Sequence, residues 1–150
     1  VAAGLVTGAR DRWVLVTGGP SDREATARVL AEARRQAAGA AGRVLDAEAL
    51  SLGELRAVLE RAALYVGGDS GPLHVAGTSN VAVVGLYGPT LPERSAPWRP
   101  EIFATASVDA GPLPCRPCHQ RVCVPGDFRC LTHVTAERVR DAAERLLETG

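Results

Sequence analysis

Aromatic side chains make up only 4% of this 150-residue chain, and methionine is absent. Its interior must therefore be filled by Ala, Val and Leu, residues suited to close helix–sheet packing. Net charge is also missing, because 17 basic and 17 acidic residues cancel. A neutral chain with so few rings offers neither the positive field nor the stacking platform of a nucleic-acid binder. No run of about 18 apolar residues occurs, so no helical membrane span is predicted. The longest apolar stretch, near Val81 to Tyr87, has the length of a buried strand. No secretory leader is visible either, since Val1 is followed by Gly4, Thr7 and charged residues. The first residue is not Met, which suggests a fragment or a trimmed chain. The expected setting is the cytoplasm, with peripheral membrane contact only through segments outside these residues.

What is present is nearly half apolar residues, which excludes a disordered chain. The length matches one domain, residues 1–150, able to bury roughly two-thirds of its unfolded surface. Trp13 to Thr17 predicts a short strand that ends in the turn Gly18-Gly19-Pro20. Ser21 or Asp22 then caps an Ala/Arg/Glu helix running to about Ala38. Arg43 to Leu45 is a further strand candidate. Ser51-Leu52-Gly53-Glu54 has the capping-box spacing, and Leu52, Leu55, Val58 and Leu59 fall on one face of the helix after it. Ala63 to Val66 and Val81 to Leu86 predict strands around a short helix that starts near Gly71-Pro72. A Pro-rich connector occupies 88–100, and a last strand is predicted at Ile102 to Ala106. Residues 109–134, which hold four cysteines, form an irregular insertion before a helix capped by Thr135. Strands alternating with helices predict an α/β fold, a Rossmann-like parallel sheet with helices on both faces.

Open parallel sheets bind ligands beyond the carboxyl ends of their strands. The segment Gly67-Gly68-Asp69-Ser70-Gly71-Pro72-Leu73-His74 lies at such an end. Gly67, Gly68 and Gly71 allow close approach of the backbone, and the following helix start favours a pyrophosphate. Ser70 offers a hydroxyl, Asp69 offers acceptors for sugar hydroxyls, and His74 faces back toward the loop one turn later. The plainer reading is a tight strand–helix turn in which Asp69 is a cap and His74 is packed. A serine hydrolase is disfavoured because Ser70 is not framed as Gly-x-Ser-x-Gly.

The run Asp69 to Ala76, then Val83 to Leu86, then Tyr87-Gly88-Pro89-Thr90 resembles the heptosyltransferase family, the ninth sequence family of glycosyltransferases. Val14 to Pro20 with Asp22, and Leu50-Ser51-Leu52 with Glu54-Leu55, extend the likeness upstream. Cys115-x-x-Cys118, Cys123 and Cys130 before a Thr-capped helix are similar to the heptosyltransferase II type. The resemblance spans about 13–148 and implies the C-terminal, donor-binding half of a GT-B enzyme of lipopolysaccharide core synthesis. It implies an ADP-heptose-like donor, transfer with inversion, and an acceptor and catalytic base held by an N-terminal domain. By the same resemblance Asp69 holds sugar hydroxyls, the Ser70 and Gly71 amides with His74 hold the diphosphate, and Gly68 belongs to the same donor site. Asp22 meets the ribose, and the backbone of Leu50 reads the adenine edge. No catalytic residue falls in this chain, no cofactor is required, and the chain alone is expected to be inactive. Ala76-Gly77-Thr78 departs from the family's usual Ala-Ala-Ala, and the phosphate-binding Lys of the family's first strand precedes Val1.

Three readings of the four cysteines stay open: a structural zinc site with His119 and His133 as spare ligands, free or redox-active thiols, and disulfides, which a cytoplasmic setting disfavours. Trp98, with Arg94 and Arg99, is open between contact with sugar, contact with another domain and plain loop packing. Two other functions compete with sugar transfer: a non-catalytic nucleotide-binding module of the same fold, and a zinc-stapled interaction domain.

Overall fold

The computed structural model describes all residues except 48, 119, 121 and 150. The chain divides into two compact units, Val1–Glu54 and Leu55–Gly150. Parallel sheets flanked by helices make up the architecture, and the strands pair within their own unit.

In the first unit, helix α1 (Ala2–Gly8) precedes strand β1 (Val14–Val16), a 3₁₀ turn at Pro20–Asp22, helix α2 (Arg23–Ala37), a 3₁₀ segment at Ala38–Arg43 and strand β2 (Val44–Asp46). β1 and β2 pair in parallel, with Val14 opposite Val44. The core is Ala3, Val6, Leu30, Ala33, Ala37, Ala40 and Val44, with Ala2, Val14 and Val16 against it. This is the small-residue interior that the composition demanded. Two arginines close its edges through backbone carbonyls. Arg43 Nη1 donates to Ala9 O at 2.8 Å and Arg12 O at 2.9 Å, while Arg34 Nε donates to Val44 O at 3.1 Å. Helix α1 has no counterpart in the sequence reading. Its two glycines and lack of a side-chain cap give it little intrinsic preference, and burial of Ala3, Leu5 and Val6 decides its conformation.

Helix α3 (Leu52–Leu59) begins at the expected capping box. The Ser51 amide donates to Glu54 Oε2 at 2.9 Å, and the Glu54 amide donates to Ser51 Oγ at 3.3 Å. Leu55 and Leu59 are buried, but Leu52 is exposed, so the apolar face is narrower than its spacing suggested.

The second unit continues with β3 (Leu64–Gly68), α4 (Gly71–Gly77), β4 (Ala82–Tyr87), α5 (Pro92–Ser95), β5 (Thr105–Asp109), α6 (Arg129–Thr132) and α7 (Ala136–Thr149). Its parallel sheet has the order β3-β4-β5. The central strand is the continuously apolar one, with Val83, Val84 and Tyr87 almost inaccessible, as its lack of alternation required. β5 starts three residues later than the predicted Ile102. Phe103 donates its amide to Pro100 O at 3.1 Å, so 100–103 is a turn, and Ile102 is exposed. α7 carries Val139, Ala142 and Ala143 inward, and its first turn is capped by Thr135 Oγ1, 3.4 Å from the Arg138 amide.

Candidate functional site

The loop after β3 is set by the sheet. Gly67 pairs with Gly85 and Gly68 with Leu86, and the Asp69 amide donates to Leu86 O at 3.1 Å. Ser70 is extended, at φ −158°, and its carbonyl accepts from Leu73 N at 3.0 Å, which starts α4 with Pro72 in its first turn. Leu73 is fully buried and anchors this short helix. The loop therefore sits beyond the carboxyl end of a parallel strand, between two fixed elements.

Its polar side chains converge. His74 Nε2 stands 3.6 Å from Asp69 Oδ1, with the imidazole half exposed and the carboxylate at 18% exposure. The Ser70 hydroxyl donates back to Gly68 O at 3.2 Å, which leaves its lone pairs and its amide for a ligand. A Cβ placed on Gly68 or Gly71 would meet nothing within 4 Å, so both leave open space at the loop surface.

Gly67 behaves differently. A Cβ there would collide with the phenol of Tyr65, whose ring lies along the strand over that glycine. A ligand is not what requires Gly67; the covering ring is. The same device recurs next door, where Tyr87 Oη stands 2.7 Å from the place of a Cβ on Gly85. Because Gly67 and Gly85 are in register, the two phenols lie over one glycine pair at the centre of the sheet. Burial pushes the Tyr65 phenol up to about 12. Burial also raises that of Tyr87, a hydrogen bond with Ser107 opposes the rise, and the charge of Asp69 adds to it. Tyr65 was not singled out from the sequence and Tyr87 only as part of a family motif, because no periodicity marks a ring that folds along its own strand.

Asp22 and Leu50 belong to the first unit. The Asp22 carboxylate closes the glycine turn, accepting from Gly19 N at 3.0 Å and from Ser21 Oγ at 3.2 Å. Leu50 follows Ala49, whose left-handed backbone (φ 62°) and amide bond to Gly18 O, 3.3 Å, lay that segment beside the same turn. Asp22 and Leu50 thus flank the carboxyl edge of the β1–β2 pair, while 67–74 flanks the corresponding edge of the β3-β4-β5 sheet.

The four cysteines are free and half-buried. Among the described residues no three His, Cys, Asp or Glu side chains are placed to hold one metal ion, and Cys115, Cys118, Cys123 and Cys130 are all described. His119 lies outside the described residues, and His133 ends α6. The fixed point of this segment is Arg116, whose side chain is 2% exposed, a residue the cysteine pattern drew attention away from. Trp98 is 94% exposed, and its neighbours are committed elsewhere. Pro97 packs on Gly77, and Arg99 donates to Ser79 O and Val81 O at the start of β4, the strand end opposite to the Asp69 loop.

The chain matches the sequence profile described as glycosyltransferase family 9 (heptosyltransferase) over residues 6–126. It belongs to glycosyltransferase family 9. Among curated relatives in this family, "Lipooligosaccharide heptosyltransferase 2" of Campylobacter jejuni serotype O:2 is 32% identical over 87 residues, 58% of this chain and 26% of that protein. The serotype O:6 protein of the same name is 28% identical over 83 residues, 55% and 25% of the two chains. A crystal structure of the glycosyl transferase family 9 protein from Veillonella parvula superposes with TM-score 0.72 at 25% identity, over 99% of this chain and 40% of that one. This family 9 chain therefore spans about a quarter of the curated relatives' length.

Proposed function

We propose that this family 9 chain is the donor-binding part of an inverting glycosyltransferase that takes an ADP-activated heptose and delivers it to a lipopolysaccharide-core acceptor. The observation that carries the reading is the convergence of Asp69 and His74 on a loop whose Gly68 and Gly71 leave open space at the carboxyl edge of a parallel sheet. Family membership and the names of the Campylobacter relatives support heptose as the sugar and a lipooligosaccharide-type acceptor.

In this reading Asp69 accepts from sugar hydroxyls, while the Ser70 and Gly71 amides and His74 meet the diphosphate. For Asp22 and the Leu50 backbone, in the first unit, only the family resemblance supplies roles, the ribose and the adenine. A base from outside these residues removes the proton of the acceptor hydroxyl, and that oxygen attacks the anomeric carbon opposite the ADP leaving group. The C–O bond to ADP breaks as the new glycosidic bond forms. Amides and imidazole aimed at the diphosphate stabilise the charge that develops there. No step assigned to these residues uses a metal. The 150 residues alone then bind donor without turning it over. Among the described residues no helix is long and apolar enough to cross a membrane, and the full-length enzyme would meet its acceptor as a peripheral protein.

The test is competition between nucleotides on the isolated chain. ADP-heptose should bind more tightly than ADP, and ADP more tightly than GDP or UDP. Equal binding of all four, or of none, removes the assignment.

A further inference from the structure

The three strands of the second sheet end on one line, and a buried arginine closes it. The Asp69 amide reaches Leu86 O, and Tyr87 pairs with Asp109, so Asp69, Tyr87 and Asp109 mark the carboxyl edge of β3, β4 and β5. Past that line β4 continues as Gly88-Pro89-Thr90 and β5 as Ala110-Gly111. Arg116 grips both continuations. Its Nη2 donates to Thr90 O at 2.6 Å, and its Nη1 donates to Gly111 O at 2.7 Å and lies 2.9 Å from Asp109 Oδ2. Two residues on, the Cys118 amide donates to Pro89 O at 2.9 Å. Asp109 is itself braced by the Gly111 amide on Oδ1 at 3.0 Å.

A guanidinium at 2% exposure has given up its hydration, and an apolar side chain of similar volume commonly supplies as much stability without that loss. What the charged fork supplies is geometry: it can hold two separate backbone segments and a carboxylate at once. Arg116 Nε and Thr90 Oγ1 lie buried in the same cluster with no hydrogen-bond partner among the described residues. The segments held are those just past the strand ends, where open parallel sheets take their ligands.

We propose that Arg116 is a positioning residue of the donor site. It fixes Pro89–Thr90 and the start of the cysteine-containing segment next to the Asp69 loop, so that the donor meets a preformed wall at the end of β4. The proposal rests on the donor reading of that loop.

The test is calorimetric titration of ADP into the whole chain, its His74→Ala, Arg116→Met, Arg116→Lys and Asp109→Asn variants, and Leu59→Ala as a core control. Arg116→Met should raise the ADP Kd by about ten-fold or more, the scale of lost hydrogen bonds to a charged group. Arg116→Lys should recover part of that loss. Leu59→Ala should lower the thermal midpoint and leave the Kd unchanged where it is folded. A folded Arg116→Met chain with wild-type Kd overturns the proposal, as does an equal rise in Leu59→Ala. Should Arg116→Met not fold, Asp109→Asn decides: a raised Kd supports the clamp, and a wild-type Kd overturns it. ADP binding weakened in His74→Ala but kept in Arg116→Met leaves the donor reading standing and removes only this inference. No ADP binding by the wild type removes both.

Discussion

His74 Nε2 lies 3.6 Å from Asp69 Oδ1, so the acidic and the basic side chain of the strand–helix loop face one another at its surface. Each can hold the other in place until a ligand with both hydroxyls and phosphates separates their tasks. His74→Ala should weaken ADP binding by about ten-fold, the usual scale for one charge-assisted contact. Asp69→Asn should leave ADP binding nearly intact and weaken ADP-heptose instead. Titration of both variants with both ligands separates the two roles.

The glycines of the loop should divide cleanly. Gly67→Ala drives a methyl group into the Tyr65 ring and should lower stability by about 1–3 kcal/mol, as overpacking does. Combining it with Tyr65→Val should return much of that loss, a non-additivity visible in a double-mutant cycle of urea midpoints. Gly68→Ala meets nothing in the protein and should leave stability near wild type while reducing ADP affinity. Equal behaviour of the two substitutions contradicts the division.

That division shows where sequence reading reached its limit. The Gly-Gly-Asp-Ser-Gly-Pro run was legible as a strand end followed by a helix start, because glycines weaken a strand and permit a tight turn while proline fixes φ and suits a first helical turn. Whether a given glycine serves a ligand or a neighbouring ring depends on how Tyr65 folds along its own strand, which spacing does not encode. The β5 boundary slipped by three residues for a similar reason: Ile102 suits a strand, but the Pro100–Phe103 turn and the Arg99 guanidinium over Phe103 claim that stretch. Arg116 carried no signal at all, since two of the three groups it holds are backbone carbonyls, one of them 26 residues away in the chain.

The buried phenols predict alkaline sensitivity. Burial raises the Tyr65 phenol from 10.0 to about 12, so the folded chain keeps its proton where the unfolded chain releases it. Stability is therefore full below about pH 10 and falls as pH rises toward about 12. Tyr65→Phe should flatten that fall, measured as urea midpoints from pH 9 upward, and should remove a late step from the absorbance titration of tyrosinate.

Phe128 adopts a left-handed backbone, φ 50°, just before α6, a conformation that costs a side chain bearing Cβ about 1 kcal/mol. Its ring is largely exposed and supplies little packing in return. Phe128→Gly should leave the thermal midpoint unchanged or raise it slightly, whereas Phe128→Val should lower it because β-branching worsens the strain.

The central claim is that residues 67–74 hold the nucleotide sugar's diphosphate and sugar. Its most direct test is calorimetric titration of ADP-heptose into the wild-type chain and Asp69→Ala. The account predicts saturable binding near one molecule per chain for the wild type, and loss of about ten-fold or more in affinity in a folded Asp69→Ala variant. Binding of equal strength in the two chains would contradict it.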